Sequence, residues 1–266
     1  MEKIGRIYIA VVLLYAIAAV LAIHFVPLDV SVSDVLLAVN QGVDYLLKGM
    51  NPYGQAYSQN LAPGVLPFQK PGVEIGIQHF IQYPPLTLFY YLPFRILGDV
   101  RYGNLLADVV IFFIIIFYFK KQPENQKFAL LFLVNGTNFY ANYIAGIMDI
   151  VPAMFLAFAL YFLKYREKFT GIFYGFALMS KQISLIALPF FLLKLKNKSF
   201  FIFSALLISL LIFIPFIPNV FTDTIIKIFR PRIPYLSYVM DFYPFFFMPL
   251  VEYLKETKAK ELLEIF

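Results

Sequence analysis

The sequence predicts an all-α polytopic membrane protein of about seven transmembrane helices, with a long first external loop carrying interfacial helices. Three observations carry that expectation. Hydrophobic residues make up 61% of the 266 positions, charged residues only 14%, and the mean hydropathy is +0.76. A soluble domain carries about 25% charged residues. Apolar runs approach the roughly 20 residues that a helix needs to cross a bilayer. Basic clusters separate those runs, so the net charge of +6 reads as a topology signal and not as a nucleic-acid footprint. With no Cys, and with His24 and His79 as its only histidines, the chain excludes disulfides, a thiolate nucleophile and a multi-histidine metal centre.

The first span covers residues 7–26, preceded by Lys3 and Arg6 and ended by Pro27. Its apolar run is too long for a signal-peptide core, and no small-residue cleavage site follows. An uncleaved helix with a cytoplasmic N-terminus is expected. Residues 27–102 then fall outside. Within them, residues 33–47 place apolar side chains at 35, 36, 39, 43, 46 and 47, the spacing of an amphipathic interfacial helix. Residues 85–97 are apolar and aromatic but too short to span, which fits a second interfacial or re-entrant helix. Residues 49–83, rich in Gly, Pro, Asn and Gln, read as loop. A loop of this size in a compact membrane protein is usually functional.

Further apolar runs cover residues 103–119, 128–143, 147–163, 171–193 and 199–217. Three basic clusters lie between them: Lys120, Lys121 and Lys127; Lys164, Arg166 and Lys168; Lys194, Lys196 and Lys198. The positive-inside rule assigns all three to the cytoplasm. A single span over 171–193 would put one cluster on the wrong side. Lys181-Gln182 interrupts that run, and a lysine at bilayer depth costs about 2.5–3.5 kcal/mol or more unless sheltered. A broken hairpin turning near Lys181–Ser184 satisfies both constraints; a straight helix with a buried lysine is the alternative. Residues 1–218 form the helical module. Residues 219–266 form an external segment with a short apolar run at 243–254 and a charged amphipathic tail. The sequons Asn135-Gly136-Thr137 and Asn197-Lys198-Ser199 fall within a span and on the cytoplasmic side, so neither is an acceptor.

Polar residues on the outer face are the candidates for chemistry. Asp29 fits ordinary loop structure, and Asp44 fits a solvated helix face. Asp34 opens the interfacial helix, where a carboxylate either caps free backbone N–H groups or serves as a base. Gly49 is a suitable C-cap and Pro52 a stop, while Pro84-Pro85 sets a rigid helix start. Asp149 has the same two readings as Asp34, capping the helix that follows or taking part in chemistry. Arg230 and Arg232 around Pro231, followed by Tyr235, Ser237 and Asp241, suit either a phosphate or a solvated loop.

The order Asp34, a helix of about four turns, Gly49-Met50-Asn51-Pro52-Tyr53, a loop and Tyr83-Pro84-Pro85-Leu86 resembles the GT-C superfamily of membrane glycosyltransferases. It is most similar to the polyprenyl-phosphate-sugar-dependent, mannosyltransferase-like branch. Gly146-Ile147-Met148-Asp149 resembles that family's second external-loop acid motif, with Ile147 where Gln is usual. Gly175-x5-Lys181-Gln182 resembles its small-residue helix ending in a lysine near the lipid phosphate. The resemblance covers residues 1–218 and implies inverting transfer of mannose or a similar hexose to a lipid or glycan acceptor on the outer face. The donor it implies is a polyprenyl phosphate such as dolichyl-phosphate mannose.

In that reading Asp34 is the general base, Asp149 a second acid, and Lys181, Gln182, Arg230 and Arg232 bind the lipid phosphate. Asn51, Tyr53 and Tyr83 shape the loop or the acceptor site. No cofactor is required, although a divalent cation between Asp34 and Asp149 would suit paired carboxylates. The partners expected are the lipid-linked donor, the acceptor, membrane lipids and, given the short chain, a second subunit; nucleic acid is not among them. A prokaryotic plasma membrane, in a thermophile, is the expected setting. The alternative function is a non-catalytic GT-C-like partner subunit or a polyprenyl-lipid transporter, although paired half-sequences of the kind transporters show are absent.

Overall fold

A computed structural model describes residues 2–27, 34–53, 55, 57–58, 77–78 and 83–219, with the side chains of 2–6, 34–35, 57–58, 77–78 and 217–219 outside that description. Met1–Pro218 is one compact unit and Asn219–Phe266 a second; the helices below belong to the first. They are α1 (Glu2–Phe25), α2 (Asp34–Leu47), α3 (Pro85–Ile96), α4 (Arg101–Tyr118), α5 (Lys127–Leu133), α6 (Gly136–Phe139), α7 (Ile150–Tyr165), α8 (Thr170–Ser180), α9 (Leu188–Lys194) and α10 (Lys198–Phe213). A two-residue antiparallel pair, Tyr57–Ser58 with Ile77–Gln78, modifies the expected plain loop at 49–83.

Among the described residues three helices are long and apolar enough to cross a membrane: Ile7–Phe25, Arg101–Tyr118 and Lys198–Phe216. Their sides divide as a bilayer solvent requires. In α1, Tyr15, Ala19 and Ile23 recur every four residues and are buried against Phe112, Leu133 and Tyr143, while Leu13, Leu14, Ile17 and Leu21 are exposed. α7 and the segment Gln182–Lys194 are apolar but shorter.

Residues 128–143 are not the continuous helix that their hydropathy predicts. α5 stops at Leu133, and the Asn135 side chain accepts from Thr137 N at 3.1 Å, capping a new start. A π-helical stretch, Tyr140–Ala145, follows and ends on Gly146 at φ 73°, a left-handed conformation that favours glycine. Hydropathy averages over such a break because the apolar residues 128–134 raise the mean of the whole run.

The broken hairpin in residues 171–193 is present, and the straight helix is excluded. α8 ends at Ser180, Lys181 is extended (φ −158°, ψ 132°), a 3₁₀ turn spans Gln182–Ala187, and α9 returns. Tyr174 in α8 packs on Phe191 in α9, with ring centroids 5.2 Å apart. Glu167 Oε1 accepts from the backbone N–H groups of Lys196 and Asn197 at 2.8 and 3.0 Å, bringing the two ends of the hairpin together. At that same end Lys164 Nζ donates to Tyr118 O at 2.9 Å and lies 3.9 Å from the Tyr118 ring centroid. The second and third basic clusters therefore share one end of the bundle with the C-terminus of α4.

α8 packs between α7 and α10. Close approach to α10 depends on Gly171 and Gly175, one turn apart. A Cβ on Gly171 would collide with Ser204 Oγ and stand 2.5 Å from Phe201 O; on Gly175 it would stand 2.8 Å from Ala205 O. Small residues serve helix contacts where lipid-like surroundings provide no hydrophobic drive. Gly171→Ala is expected to destabilise the protein by about 1–3 kcal/mol, because backbone cannot yield as a flexible side chain can. Its thermal unfolding midpoint in detergent measures this, and an unchanged midpoint would refute the packing argument.

Candidate functional site

Opposite the basic end, α7 begins and α8 stops. Asp149 occupies the N-cap position of α7 but makes no capping hydrogen bond, so the capping reading does not hold. Its carboxylate instead forms an ion pair with Lys181 Nζ, the two side chains being 60% and 24% exposed. The Lys181 ammonium also lies 6.0 Å from the Tyr83 ring centroid, within cation–π reach. α8 has 11 residues, about 16 Å of helix, against a hydrocarbon core of about 30 Å. Lys181 thus stands at the end of a helix too short to cross such a core, with Asp149 as its counter-charge.

Tyr83 joins this point to the turn after α2. Its carbonyl accepts from Tyr53 Oη at 2.8 Å, and the Tyr53 ring packs edge-on against Phe216 at 5.3 Å. Asn51 Oδ1 accepts from Tyr53 N at 3.0 Å, and Asn51 O accepts from Gln55 Nε2 at 3.0 Å. Asn51 and Tyr53 therefore build the chain reversal after α2. That reversal begins at Gly49 (φ 70°), where Gly49 N bonds Leu46 O and Met50 N bonds Tyr45 O, both at 2.9 Å. Pro84 and Pro85 start α3 as expected, and Thr87 Oγ1 donates to Ser180 O, next to Lys181. Gln182 is the first residue of the 3₁₀ turn.

Asp44 corrects the sequence reading. It is not a solvated face residue: Arg95 Nε and Nη2 donate to its two carboxylate oxygens at 2.7 and 3.1 Å, fastening α2 to α3. The Asp44 hydrogen bond raises the Arg95 guanidinium above its ordinary pKa. Both groups are about one-third exposed, which limits its worth to about 1 kcal/mol. Asp34 is the first residue of α2, and its side chain lies outside the described residues. Asp29, Arg230, Arg232, Tyr235, Ser237, Asp241 and the tail also lie outside them. Among the described residues no three His, Asp or Glu side chains gather into a cation-binding group.

A second polar group lies inside the bundle, and the sequence reading passed over it. Asp108 in α4 is fully buried. Its Oδ2 accepts from Tyr143 Oη at 2.6 Å, Tyr15 Oη at 2.7 Å and Asn142 Nδ2 at 3.0 Å; its Oδ1 accepts from Asn138 Nδ2 at 3.0 Å. Four residues before it, Asn104 accepts from Tyr91 Oη at 2.6 Å and donates to Asn142 O and Ile147 O at 2.9 and 3.3 Å. Arg101 completes the stripe, donating to Asp99 and to the carbonyls of Ile23, Val26 and Tyr143. Polar residues at 101, 104 and 108 recur at helical spacing within an apolar run. That was the available signal, since polar groups at bilayer depth persist only with a reason.

The class these features define is an all-helical protein, with three helices long and apolar enough to cross a membrane and a charged pair at the break of a helical hairpin. Comparison of the chain with protein-family models, with curated proteins and with solved structures gives no match in any of the three.

Proposed function

We propose that the protein is a GT-C-like glycosyltransferase of about seven membrane segments, N-terminus cytoplasmic, moving a hexose from a polyprenyl phosphate to an external acceptor. The observation that supports this reading is Lys181, held at a helix break beside Asp149 and Tyr83, away from the basic end of the bundle. Asp34 takes the proton from the acceptor hydroxyl, whose oxygen attacks the anomeric carbon with inversion. The bond from that carbon to the phosphate oxygen breaks, and the lipid phosphate leaves as a dianion. The Lys181 ammonium stabilises the charge that develops.

Purified protein supplied with a radiolabelled polyprenyl-phosphate sugar and candidate acceptors tests the reading through label transfer. Lipid binding without transfer would instead indicate a non-catalytic partner subunit or a lipid transporter. Lys181→Met is expected to lower kcat by about 10²–10³-fold, with a smaller change in donor KM, because the second phosphate charge arises only in the transition state. Asp149 is largely exposed, so its lost partner should cost little stability. A change confined to KM would recast Lys181 as a binding group.

A further inference from the structure

We infer that Asn104 and Thr87 are positioning residues that register Asp149 against Lys181, with the buried Asp108 as the fixed anchor of the arrangement. Each charged residue is tied to a helix end by one backbone bond, Ala153 N to Asp149 O at 3.3 Å and Lys181 N to Ala177 O at 3.0 Å. Asp149 follows the left-handed Gly146 and two residues outside any helix, and Lys181 is extended after the last turn of α8. The packing of α7 on α8 brings the two ends together, and contacts from α3 and α4 fix the backbone beside each.

Those contacts reach the backbone immediately upstream of each. Asn104 Nδ2 donates to Ile147 O, two residues before Asp149. Thr87 Oγ1 donates to Ser180 O, one residue before Lys181. A single element joins the two contacts, because Thr87 and Tyr91 stand one turn apart on α3, both are buried, and Tyr91 Oη donates to Asn104. Burial keeps the Tyr91 hydroxyl protonated well above its ordinary range, so it remains a donor.

The other end of the Asn104 contact is equally constrained. Asn104 also donates to Asn142 O, and the Asn142 side chain is bound to Asp108. Asp108 takes four donors from three elements, α1, α6 and the π-helical stretch, so the irregular segment 138–147 cannot shift without breaking a buried network. Asp99 and Arg101 secure the same segment at Tyr143 O. Asp108 touches neither member of the charged pair and acts through the backbone alone.

The absence of native cysteine makes the test direct. Ile147 and Ile183, 38% and 40% exposed, flank the pair and can be changed together to Cys and labelled with nitroxides. Dipolar broadening in continuous-wave electron paramagnetic resonance should report one narrow distance. Asn104→Leu is expected to widen that distribution. Tyr91→Phe, which removes one donor, and Asn104→Asp, which removes both amide hydrogen bonds, should widen it in the same direction. Leu195→Ala, a buried change after α9 at the basic end and outside the network, should lower the melting temperature and leave the distribution narrow. In the transfer assay Asn104→Leu should lower kcat about 10²-fold with donor KM little changed, as misplacement does.

An unaltered distribution in folded Asn104→Leu, Asn104→Asp and Tyr91→Phe overturns the inference, and so does equal widening in Leu195→Ala. Only the kinetic consequence rests on the glycosyltransferase reading. Widening in the Asn104 variants of a protein whose unaltered form transfers no sugar would uphold the positioning role and defeat that reading.

Discussion

Asp34→Asn is expected to lower sugar transfer by about 10²–10⁴-fold, the usual contribution of a general base, while folding is retained. Asn keeps an oxygen able to accept from free N–H groups at a helix start, so a capping role would survive the change. The position of α2 does not depend on charge at residue 34. It rests on Leu36, Val39 and Val43, each with no exposed surface, and on the Asp44–Arg95 pair near its other end. Asp44 pairs with Arg95 and Asp149 with Lys181. Initial rates of label transfer beside the thermal midpoint decide the matter. Turnover near the unaltered level would remove Asp34 from the mechanism and move the base role to Asp149.

Arg101→Met is expected to cost about 3–5 kcal/mol of stability, the range for removing one member of a buried ion pair. The Arg101 side chain is 1% exposed, and Asp99 Oδ2 lies 2.7 Å from Nη2. Its Nη1 and Nη2 also satisfy carbonyls of Ile23, Val26 and Tyr143 at 3.0, 2.7 and 2.9 Å. Two of those carbonyls close the end of α1, where the helix leaves its last acceptors unpaired. Methionine can fill the space but donates to none of them. Arg101→Lys should recover only part of the loss, because one ammonium cannot reproduce the guanidinium fork. Pairing Arg101→Met with Asp99→Asn should also recover part, by removing the stranded carboxylate. Unfolding midpoints of these variants in one detergent provide the comparison, and a loss below about 1 kcal/mol, the value of an exposed pair, would contradict a dry site.

Glycines and prolines at element ends were legible because their effect is local. Gly49 in the left-handed region, Pro84-Pro85 at the start of α3, and the apolar stripe of α2 each follow from a few adjacent residues. The hairpin break was legible for a different reason. Lys181 is expensive inside an apolar run, and basic clusters on both sides of one run conflict with a single crossing.

The break at Asn135 is hidden because the apolar residues 128–134 keep the mean hydropathy of the run high, whereas the cap and the π-helical stretch depend on single hydrogen bonds. The stripe Arg101, Asn104 and Asp108 was visible as spacing but not as a network, since its partners come from α1, α3 and residues 138–147. The sequence alone determined that this chain is apolar enough for membrane-crossing helices, where most helices begin and end, and that Lys181 stands at a break. Only the tertiary structure decided the pairings: Asp149 with Lys181, Asp44 with Arg95, and Asp108 with four donors. Capping, turn chemistry and periodicity are written within a few residues. A buried polar side chain reveals locally that it needs a partner, but which partner it finds depends on which helix faces come together, as where Gly171 and Gly175 admit α10.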